Sequence, residues 1–400
     1  MFNFAAGQDH NYSSIPSCVK IDILMFSPQN SPDKSTFTDS VAITGFCTLH
    51  DVRGEFYCYN SQQPPSLQSL FSAPQKELES TFPLESFWDQ LQHEINRNNF
   101  ETPPERIGAV FSSSKGRLDL IGDESTFIDW TCDWALQKVL SLANGKGPAL
   151  APVAACAGGA HCVALGAQMI VNGQADVVLA GAIEAPLTPL ALAAYRKMNA
   201  LSRSGVMRPF DVRRDGFVPR PGAACLILEN AETARQRGAA IFAYLSGWSM
   251  IFDPHSLLTM SPDGEAIARL IDDVMRKSTF KSDKKSIVDY VNLHATATPY
   301  GDLVEARGVA LALGKSVAAS ATKPLTGHTL GAAGAIEALL TIRAMGENMI
   351  PPTLNLECFD AECPIDVIAG DGLQVSVDRA LSLSYGFGGH MGALLFDKII

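Results

Sequence analysis

The sequence predicts an α/β protein in which helices cover a sheet. Through the centre of the chain, short apolar segments with strand character alternate with segments of helical spacing, the pattern of a sheet covered by helices. Residues 175–181 are apolar throughout, as in a strand buried on both faces. Residues 154–156 open a helix rich in Ala and Gly, and residues 325–328 open another. This internal similarity is weak evidence for a duplicated βα architecture.

The N-terminal half, residues 41–235, is predicted to follow an extension, residues 1–40, which is rich in Ser, Asn, Asp and Pro. Apolar residues within this half recur with the periods that distinguish strands from helices. The predicted strands are residues 41–46, 107–111, 152–155, 175–181 and 223–229. The predicted helices are residues 84–96, 126–142, 160–172 and 189–201.

The C-terminal half, residues 236–400, continues the same alternation. The predicted strands are residues 242–248, 287–293 and 316–320, and the predicted helices are residues 263–279, 304–313 and 328–345. The chain is predicted to end in a strand pair, residues 379–384 and 392–396, around a Gly-rich turn.

The composition argues against several classes of protein. Charged residues make up 18% of the chain, against about a quarter in a typical domain, so we expect a large core and an oligomer that hides further surface. The formal net charge of −11 argues against nucleic-acid binding. Residues 147–175 lack charged side chains, but their prolines, glycines and alanines favour a buried strand, turn and helix over a membrane span.

The cysteines predict a reducing compartment, the cytoplasm. The nine cysteines are scattered without a C-x-x-C pair, which argues against a zinc site and against a disulfide framework. Lys20 is the first basic residue, and no charged segment followed by an apolar one precedes it, so no secretory signal is expected.

Cys156 is the candidate nucleophile. It lies between a predicted strand and Ala157-Gly158-Gly159-Ala160, where a helix begins. Unpaired backbone N–H groups and the helix dipole at such an N-terminus favour a thiolate, so we expect a pKa below the ordinary value of about 8.5. An inert buried cysteine is the commoner fate of a lone cysteine and is the alternative; Cys162 and Cys225, which lie in apolar segments without such a turn, are assigned to it.

Two histidines give Cys156 chemical partners. His294 follows an apolar strand, at the carboxyl end where α/β sheets bind ligands. His328 lies at a predicted helix start, five residues after Lys323. Each histidine alone is more often structural, but together with the cysteine they form a Cys–His–His set from separate parts of the chain, suited to nucleophilic catalysis.

These residues lie in motifs that resemble those of the β-ketoacyl synthases. The matching segments are the nucleophile elbow at 155–161, the first histidine motif at 292–299 with Asp302 and Glu305, the second at 323–334, the terminal Gly-rich turn at 386–390, and the shorter matches at 208–211 and 215–217. Their order and spacing hold from about residue 105 to the end. Coincidence does not account for several separate motifs in register.

The resemblance implies the thiolase fold, five layers in the order αβαβα with two pseudo-duplicated halves. It implies that Cys156 accepts an acyl group from an acyl carrier protein, with the backbone N–H groups of Cys156 and Phe387 as the oxyanion hole. His294 and His328 would donate hydrogen bonds to a malonyl thioester as it loses CO₂, in fatty-acid-like, polyketide or unusual-lipid synthesis. No metal and no cofactor beyond the carrier's phosphopantetheine is implied, because hydrogen-bond donors stabilise the enolate.

The resemblance also implies supporting residues. Lys323 and Glu305 would form an ion pair that fixes His328 and sets the local charge. Thr296 and Thr298 would bind the phosphopantetheine arm. The chain would work as a homodimer or as part of a ketosynthase heterodimer.

Lys115 is a candidate pocket residue. It lies where the family has an aliphatic residue of the acyl pocket, and an ammonium there requires a carboxylate, a lowered pKa or a polar substrate group. We expect it to favour a short, polar or unsaturated acyl group. The alternative is a shift of the alignment by one or two residues, which leaves Lys115 solvated at the surface.

Three departures from the family separate this chain from housekeeping members. Arg220-Pro221-Gly222-Ala223-Ala224 replaces an acidic Gly-rich turn, Ala295 replaces a glycine and Met391 replaces an asparagine. They favour a specialised pathway. The alternative function is a weakly active partner, similar to a chain-length factor or a scaffold subunit, and the intact Cys156 argues against it.

Overall fold

The structure, a computed structural model, describes residues 40–52, 55–72, 83–120, 130–184, 187–279 and 288–398. The predicted extension at residues 1–40 lies outside these ranges except for Ser40. Residues 126–129 of one predicted helix and residue 287 of one predicted strand also lie outside them.

Strands and helices alternate through most of the described chain. The strands are β1 (Val41–Val52), β2 (Glu55–Asn60), β3 (Ile107–Ser112), β4 (Ala149–Leu150), β5 (Val177–Glu184), β6 (Gly222–Asn230), β7 (Ala243–Phe252), β8 (Tyr290–Asn292), β9 (Ala319–Ser320), β10 (Met349–Ile350), β11 (Leu373–Gln374), β12 (Arg379–Gly386) and β13 (His390–Asp397). The helices are α1 (Leu67–Ser72), α2 (Leu84–Asn98), α3 (Trp134–Leu142), α4 (Gly158–Val171), α5 (Pro189–Lys197), α6 (Ala231–Gln236), α7 (Glu265–Lys277), α8 (Pro299–Leu313), α9 (Lys323–Thr326) and α10 (Ala333–Glu347).

A large mixed sheet runs through the described residues. Its strand order is β4-β3-β5-β6-β1-β7-β13-β12-β8-β9, with β2 beside β1. The pairs of β3 with β4 and β5, and of β8 with β9 and β12, are parallel, whereas the other pairs in this sheet are antiparallel. Strand β1 joins the two halves, because it pairs with β6 along most of its length and with β7 through residues 41–43.

Helices form three layers around the two halves of the sheet. The central layer is α4 and α10, which contact each other; α4 packs on β3 and β5, and α10 packs on β6 and β12. Helices α2 and α3 cover the outside of one half, and α7, with α8 packed beside it, covers the other. Buried apolar clusters fill the spaces between these layers. The predicted five-layered thiolase fold is confirmed.

The contact between α4 and α10 depends on glycine. A Cβ added at Gly159 would lie 2.5 Å from the Ala335 nitrogen, and one added at Gly334 would lie 2.7 Å from the Ala160 nitrogen. Larger residues would therefore push the two helices apart. Because Cys156 precedes α4 and the second histidine motif precedes α10, this close contact brings the two reactive segments together.

Several element boundaries differ from the prediction for local reasons. The strand predicted at residues 152–155 is instead Ala149–Leu150, before Pro152, which has no N–H to donate. The helix predicted from residue 328 begins at Ala333, after a 3-10 turn in which Leu330 has a φ of +50°. Across the described residues, each helix is too short or too polar to cross a lipid bilayer.

Candidate active site

Cys156 lies in a sharp turn before α4. The turn is a 3-10 turn, Ala155–Ala157, that continues directly into the helix. Ala155 has a φ of +46°, a strained conformation that costs about 1–3 kcal/mol and is typical of functional turns. Gly386 leaves room for this turn, because a Cβ there would lie 2.5 Å from the Ala154 oxygen and 3.1 Å from the Cys156 nitrogen.

Burial controls the Cys156 thiol, which is 6% exposed. Loss of water raises its pKa to about 12, while the Lys323 ammonium acts in the opposite direction. The expectation of a lowered pKa at the helix N-terminus is therefore wrong. The resting nucleophile is a neutral thiol, and its proton must leave as the sulfur attacks a thioester.

His294 and His328 form a buried pair beside the nucleophile. Their ring centroids lie 5.6 Å apart, edge to face. Burial lowers the pKa of both rings well below 6.5, and the Lys323 ammonium lowers it further, so both are neutral at pH 7. Phe217 packs edge to face against His328, with 4.8 Å between the ring centroids, and it belongs to the apolar cluster that contains Cys156. The structure therefore brings the predicted Cys–His–His set together.

Lys323 fixes the tautomer of His294. Its side chain is fully buried, its Nζ lies 3.2 Å from His294 Nδ1, and it forms an ion pair with Glu337 of α10. An ammonium group only donates hydrogen bonds, so Nδ1 must accept and the ring proton must lie on Nε2. The Nε2–H of His294 is then available as a donor to a substrate.

The predicted ion pair between Lys323 and Glu305 is wrong. Glu305 is buried on α8, and its two oxygens accept the backbone N–H groups of His294 at 2.8 Å and Ala295 at 2.7 Å. Since Ala295 has a φ of +34°, Glu305 stabilises the strained turn that carries His294. Burial raises the pKa of Glu305 to about 8, against the effect of these hydrogen bonds. Sequence reasoning missed Glu337, although an acidic residue among the small apolar residues of α10 is a signal for a buried partner.

Phe387 lies beside the apolar cluster that contains the nucleophile. Its side chain packs against the apolar cluster that includes Cys156, and the preceding residue is the glycine in contact with the nucleophile turn. The terminal Gly-rich turn and the nucleophile elbow are thus neighbours. A backbone N–H from each is the donor set that an oxyanion hole requires.

Thr296 and Thr298 lie at the start of α8. Thr298 is the N-cap of this helix, and its hydroxyl accepts a backbone N–H. The hydroxyl oxygens of the two threonines are 3.2 Å apart, and both residues are partly exposed, as contact with an incoming substrate arm requires. Among the described residues, no group of three or more His, Cys, Asp or Glu side chains is placed to hold a metal ion.

Lys115 lies near the nucleophile, with a side chain 15% exposed. It forms an ion pair with Glu184 at the end of β5, which is fully buried and also accepts the Ser114 N–H at 2.6 Å. Lys115 lowers the pKa of the Cys156 thiol and Glu184 raises it, so both charges act on the sulfur. The alternative, that Lys115 is solvated at the surface, is therefore wrong. Sequence reasoning missed Glu184, a charged end to an otherwise apolar strand.

Comparisons with known proteins agree with this geometry. Two family models match, "Beta-ketoacyl synthase, N-terminal domain" over residues 139–234 and "Beta-ketoacyl synthase, C-terminal domain" over residues 242–357. The 3-oxoacyl-[acyl-carrier-protein] synthase 2 of Synechocystis sp. is 36% identical over 74% of this chain and 76% of its own. The chain belongs to the β-ketoacyl synthase family. It is a condensing enzyme, an acyltransferase that forms carbon–carbon bonds.

Further relatives support the family and the fold. The 3-oxoacyl-[acyl-carrier-protein] synthase 2 of Vibrio harveyi is 37% identical, over 74% of this β-ketoacyl synthase and 76% of its own chain. A β-ketoacyl synthase from Burkholderia phymatum superposes with a TM-score of 0.75 at 24% identity, covering 90% of this chain and all of that one. A type II polyketide ketosynthase in complex with its acyl-carrier protein gives a TM-score of 0.77 at 23% identity, covering 90% of this chain and 99% of that one.

Proposed function

We propose that this β-ketoacyl synthase condenses a malonyl thioester with an acyl group carried on Cys156, with loss of CO₂. The observation that carries the proposal is the tautomer and the neutral charge of His294. Lys323 holds its proton on Nε2, and burial keeps the ring neutral beside His328 and the thiol. A preorganised neutral donor at this place suits a thioester oxygen that gains negative charge.

The first step loads the enzyme. The Cys156 sulfur attacks the carbonyl carbon of an acyl thioester, a new thioester bond to Cys156 forms, and the bond to the phosphopantetheine sulfur breaks. The proton of the neutral Cys156 thiol leaves during this step and ends on the departing phosphopantetheine thiol. The backbone N–H groups of Cys156 and Phe387 stabilise the tetrahedral oxyanion.

The second step forms the carbon–carbon bond. The malonyl thioester loses its carboxyl group as CO₂, and His294 and His328 stabilise the resulting enolate oxygen. The enolate carbon attacks the acyl group on Cys156, and the bond to the cysteine sulfur breaks. The sulfur takes up a proton and returns to the neutral thiol that burial favours.

The substrate carrier is an acyl carrier protein, and we place its docking surface at the end of α5. Arg196, Lys197 and Arg203 are exposed there on a chain of net charge −11. The same segment supplies Tyr195 and Met198 to the apolar cluster around the nucleophile. A basic surface this close to the thiol suits an acidic carrier whose arm, bound by Thr296 and Thr298, must reach the site.

Thioester assays with single variants test the proposed reaction. Cys156→Ala is expected to form no acyl-enzyme and no condensation product. His294→Ala and His328→Ala are expected to decarboxylate malonyl thioester about 10²–10³ times more slowly while acylation of Cys156 is less affected, because each removes one preorganised donor. His93→Ala, on the exposed face of α2, is the matched control. Undiminished condensation by Cys156→Ala would overturn the proposal.

A second experiment tests the docking surface. Arg196→Glu with Lys197→Glu is expected to raise the KM for a carrier-bound substrate about tenfold or more and to leave the KM for the same acyl group on N-acetylcysteamine unchanged. Arg276→Glu with Lys277→Glu, a neighbouring exposed pair at the end of α7, is the matched control. Equal effects on both substrates would place the basic residues outside the docking surface.

A further inference from the structure

The Lys115–Glu184 ion pair is a buried charged element that the condensation steps do not use. Three segments build it: the loop after β3, the end of β5 and the 3-10 turn Leu330–Ala332. Gly331 makes room for the pair, because a Cβ there would lie 2.5 Å from Glu184 Oε1 and 2.9 Å from Ser114 Cβ. The carboxylate is thus enclosed by protein on several sides.

The pair lies close enough to Cys156 for both charges to act on its thiol. Leu330, next to Gly331, belongs to the apolar cluster that contains Cys156, and a Cβ at Gly158 would lie 3.5 Å from the Gly331 oxygen. Tyr195 lies in the same neighbourhood: burial raises its pKa, and Cys156 and Glu184 raise it further. His328 belongs to the same segment as the 3-10 turn Leu330–Ala332, whereas His294 comes from a different one.

A charged pair this close to Cys156 changes which acyl groups the site accepts. A long saturated chain against it would remove the remaining water from Lys115 and offer no hydrogen bond in return, which is costly. A carbonyl or hydroxyl oxygen in the acyl group would accept a hydrogen bond from the ammonium. The ammonium carries three N–H donors, and the ion pair with Glu184 requires one of them.

We propose that the Lys115–Glu184 pair determines the acyl specificity of the site and selects acyl groups that carry a carbonyl or hydroxyl oxygen over saturated ones of equal length. The inference rests on the proposed acylation of Cys156. Glu184 neutralises Lys115 and, through the Ser114 N–H, holds the loop that presents it. The ammonium supplies the selective contact.

Loading of Cys156 from small thioesters tests the inference. The probes are the N-acetylcysteamine thioesters of butanoate, octanoate, 3-oxooctanoate and 5-oxooctanoate, and the readout is the rate of acyl-Cys156 formation by intact mass. The parent enzyme is expected to prefer an oxo-octanoyl probe over octanoyl by about tenfold or more, the size of a hydrogen bond to a charged group. Lys115→Met with Glu184→Gln is expected to reduce that ratio to within about twofold, whereas Lys115→Arg retains the preference.

The controls separate the possible failures. Arg106→Gln with Asp176→Asn removes a half-exposed ion pair on the surface and is expected to keep the parent ratio. If no probe, butanoyl included, acylates Cys156 in the parent enzyme, the proposed function itself fails. If the probes acylate Cys156 but the oxo-to-saturated ratio is the same in the parent and in the Lys115→Met, Glu184→Gln variant, the specificity inference is overturned and the proposed function stands. Should the double variant lose its thermal transition, the ratio in parent and Lys115→Arg decides, since both must exceed about tenfold.

Discussion

At the scale of single residues, loss of water controls the chemistry of the site. It keeps the Cys156 thiol protonated and both imidazoles neutral. Lys323 lowers the pKa of all three groups, because a positive charge favours a thiolate and disfavours an imidazolium. One buried ammonium, paired with Glu337, therefore tunes the nucleophile and both donors.

The raised pKa of Cys156 predicts how the thiol reacts with alkylating agents. Below a pKa of about 12 the thiolate fraction grows tenfold with each pH unit, so we expect alkylation by iodoacetamide to accelerate from pH 7 to pH 10 without a plateau. Peptide mapping at each pH measures the rate at Cys156. An unstructured cysteine-containing peptide in the same buffers is the control, and its rate should level off once the pH exceeds its ordinary thiol pKa of about 8.5. A plateau for Cys156 near pH 8 would contradict the prediction.

The charge of Lys323 predicts a shift in the pH profile of decarboxylation. Lys323 lowers the pKa of His294 and His328, so Lys323→Met should raise both pKa values towards 6.5. Because the neutral rings are the active form, the acid limb of the profile should then move to higher pH. The measurement is CO₂ release from malonyl thioester between pH 5 and pH 8. Lys398→Met, which removes a lysine beside Asn348, is the control. An unmoved acid limb would show that Lys323 does not set the protonation of the histidines.

Reactive residues could be predicted from the sequence, but their charged partners could not. Cys156 and His328 lie in local motifs whose turns are rich in Gly and Ala, so the sequence alone reveals them. Glu337 and Glu184 contact Lys323 and Lys115 across 14 and 69 positions. Such contacts depend on the packing of elements, so the sequence shows only that an acidic residue lies in an apolar segment.

At the scale of elements, the fit between α4 and α10 positions the site. Amphipathic spacing predicted α2 at nearly its observed bounds, because one buried face decides that helix. The start of α10 was predicted five residues too early, since Leu330 adopts a left-handed conformation that spacing does not reveal.

A pair of glycine variants on α10 tests this fit. Gly334→Ala places a Cβ 2.7 Å from the Ala160 nitrogen and should destabilise the fold by about 1–3 kcal/mol, as overpacking does. Gly346→Ala meets nothing within 4 Å on the same helix and should be neutral or stabilise it by up to about 1 kcal/mol. Urea unfolding measures both. Equal stability of the two variants would show that the central helices are not tightly fitted.

At the scale of the whole molecule, β4 is an edge strand of the large sheet among the residues that the structure describes. Strand β4 pairs on one side with β3, and both of its residues are exposed. Strand β5 lies inside the sheet, between β3 and β6. Exposed apolar side chains lie on β4 and on the segment that follows it, Leu150 at 45% and Val153 at 55%. An open, apolar sheet edge is a template for pairing with another chain.

A second copy of this chain is the partner we propose for the β4 edge. Two β4 strands related by a twofold axis would continue the sheet across both copies and bury Leu150 at the centre. Leu150→Lys is therefore expected to convert a species of twice 42.8 kDa into one of 42.8 kDa at micromolar concentration in light scattering. Leu311→Lys is the matched control, because Leu311 is 62% exposed on the outer helix α8, on the other half of the sheet. A monomeric parent chain would contradict the proposed dimer, and a Leu150→Lys variant that stays dimeric would place the interface elsewhere. Dissociation of Leu150→Lys but not of Leu311→Lys would show that assembly depends on the sheet edge next to the nucleophile elbow.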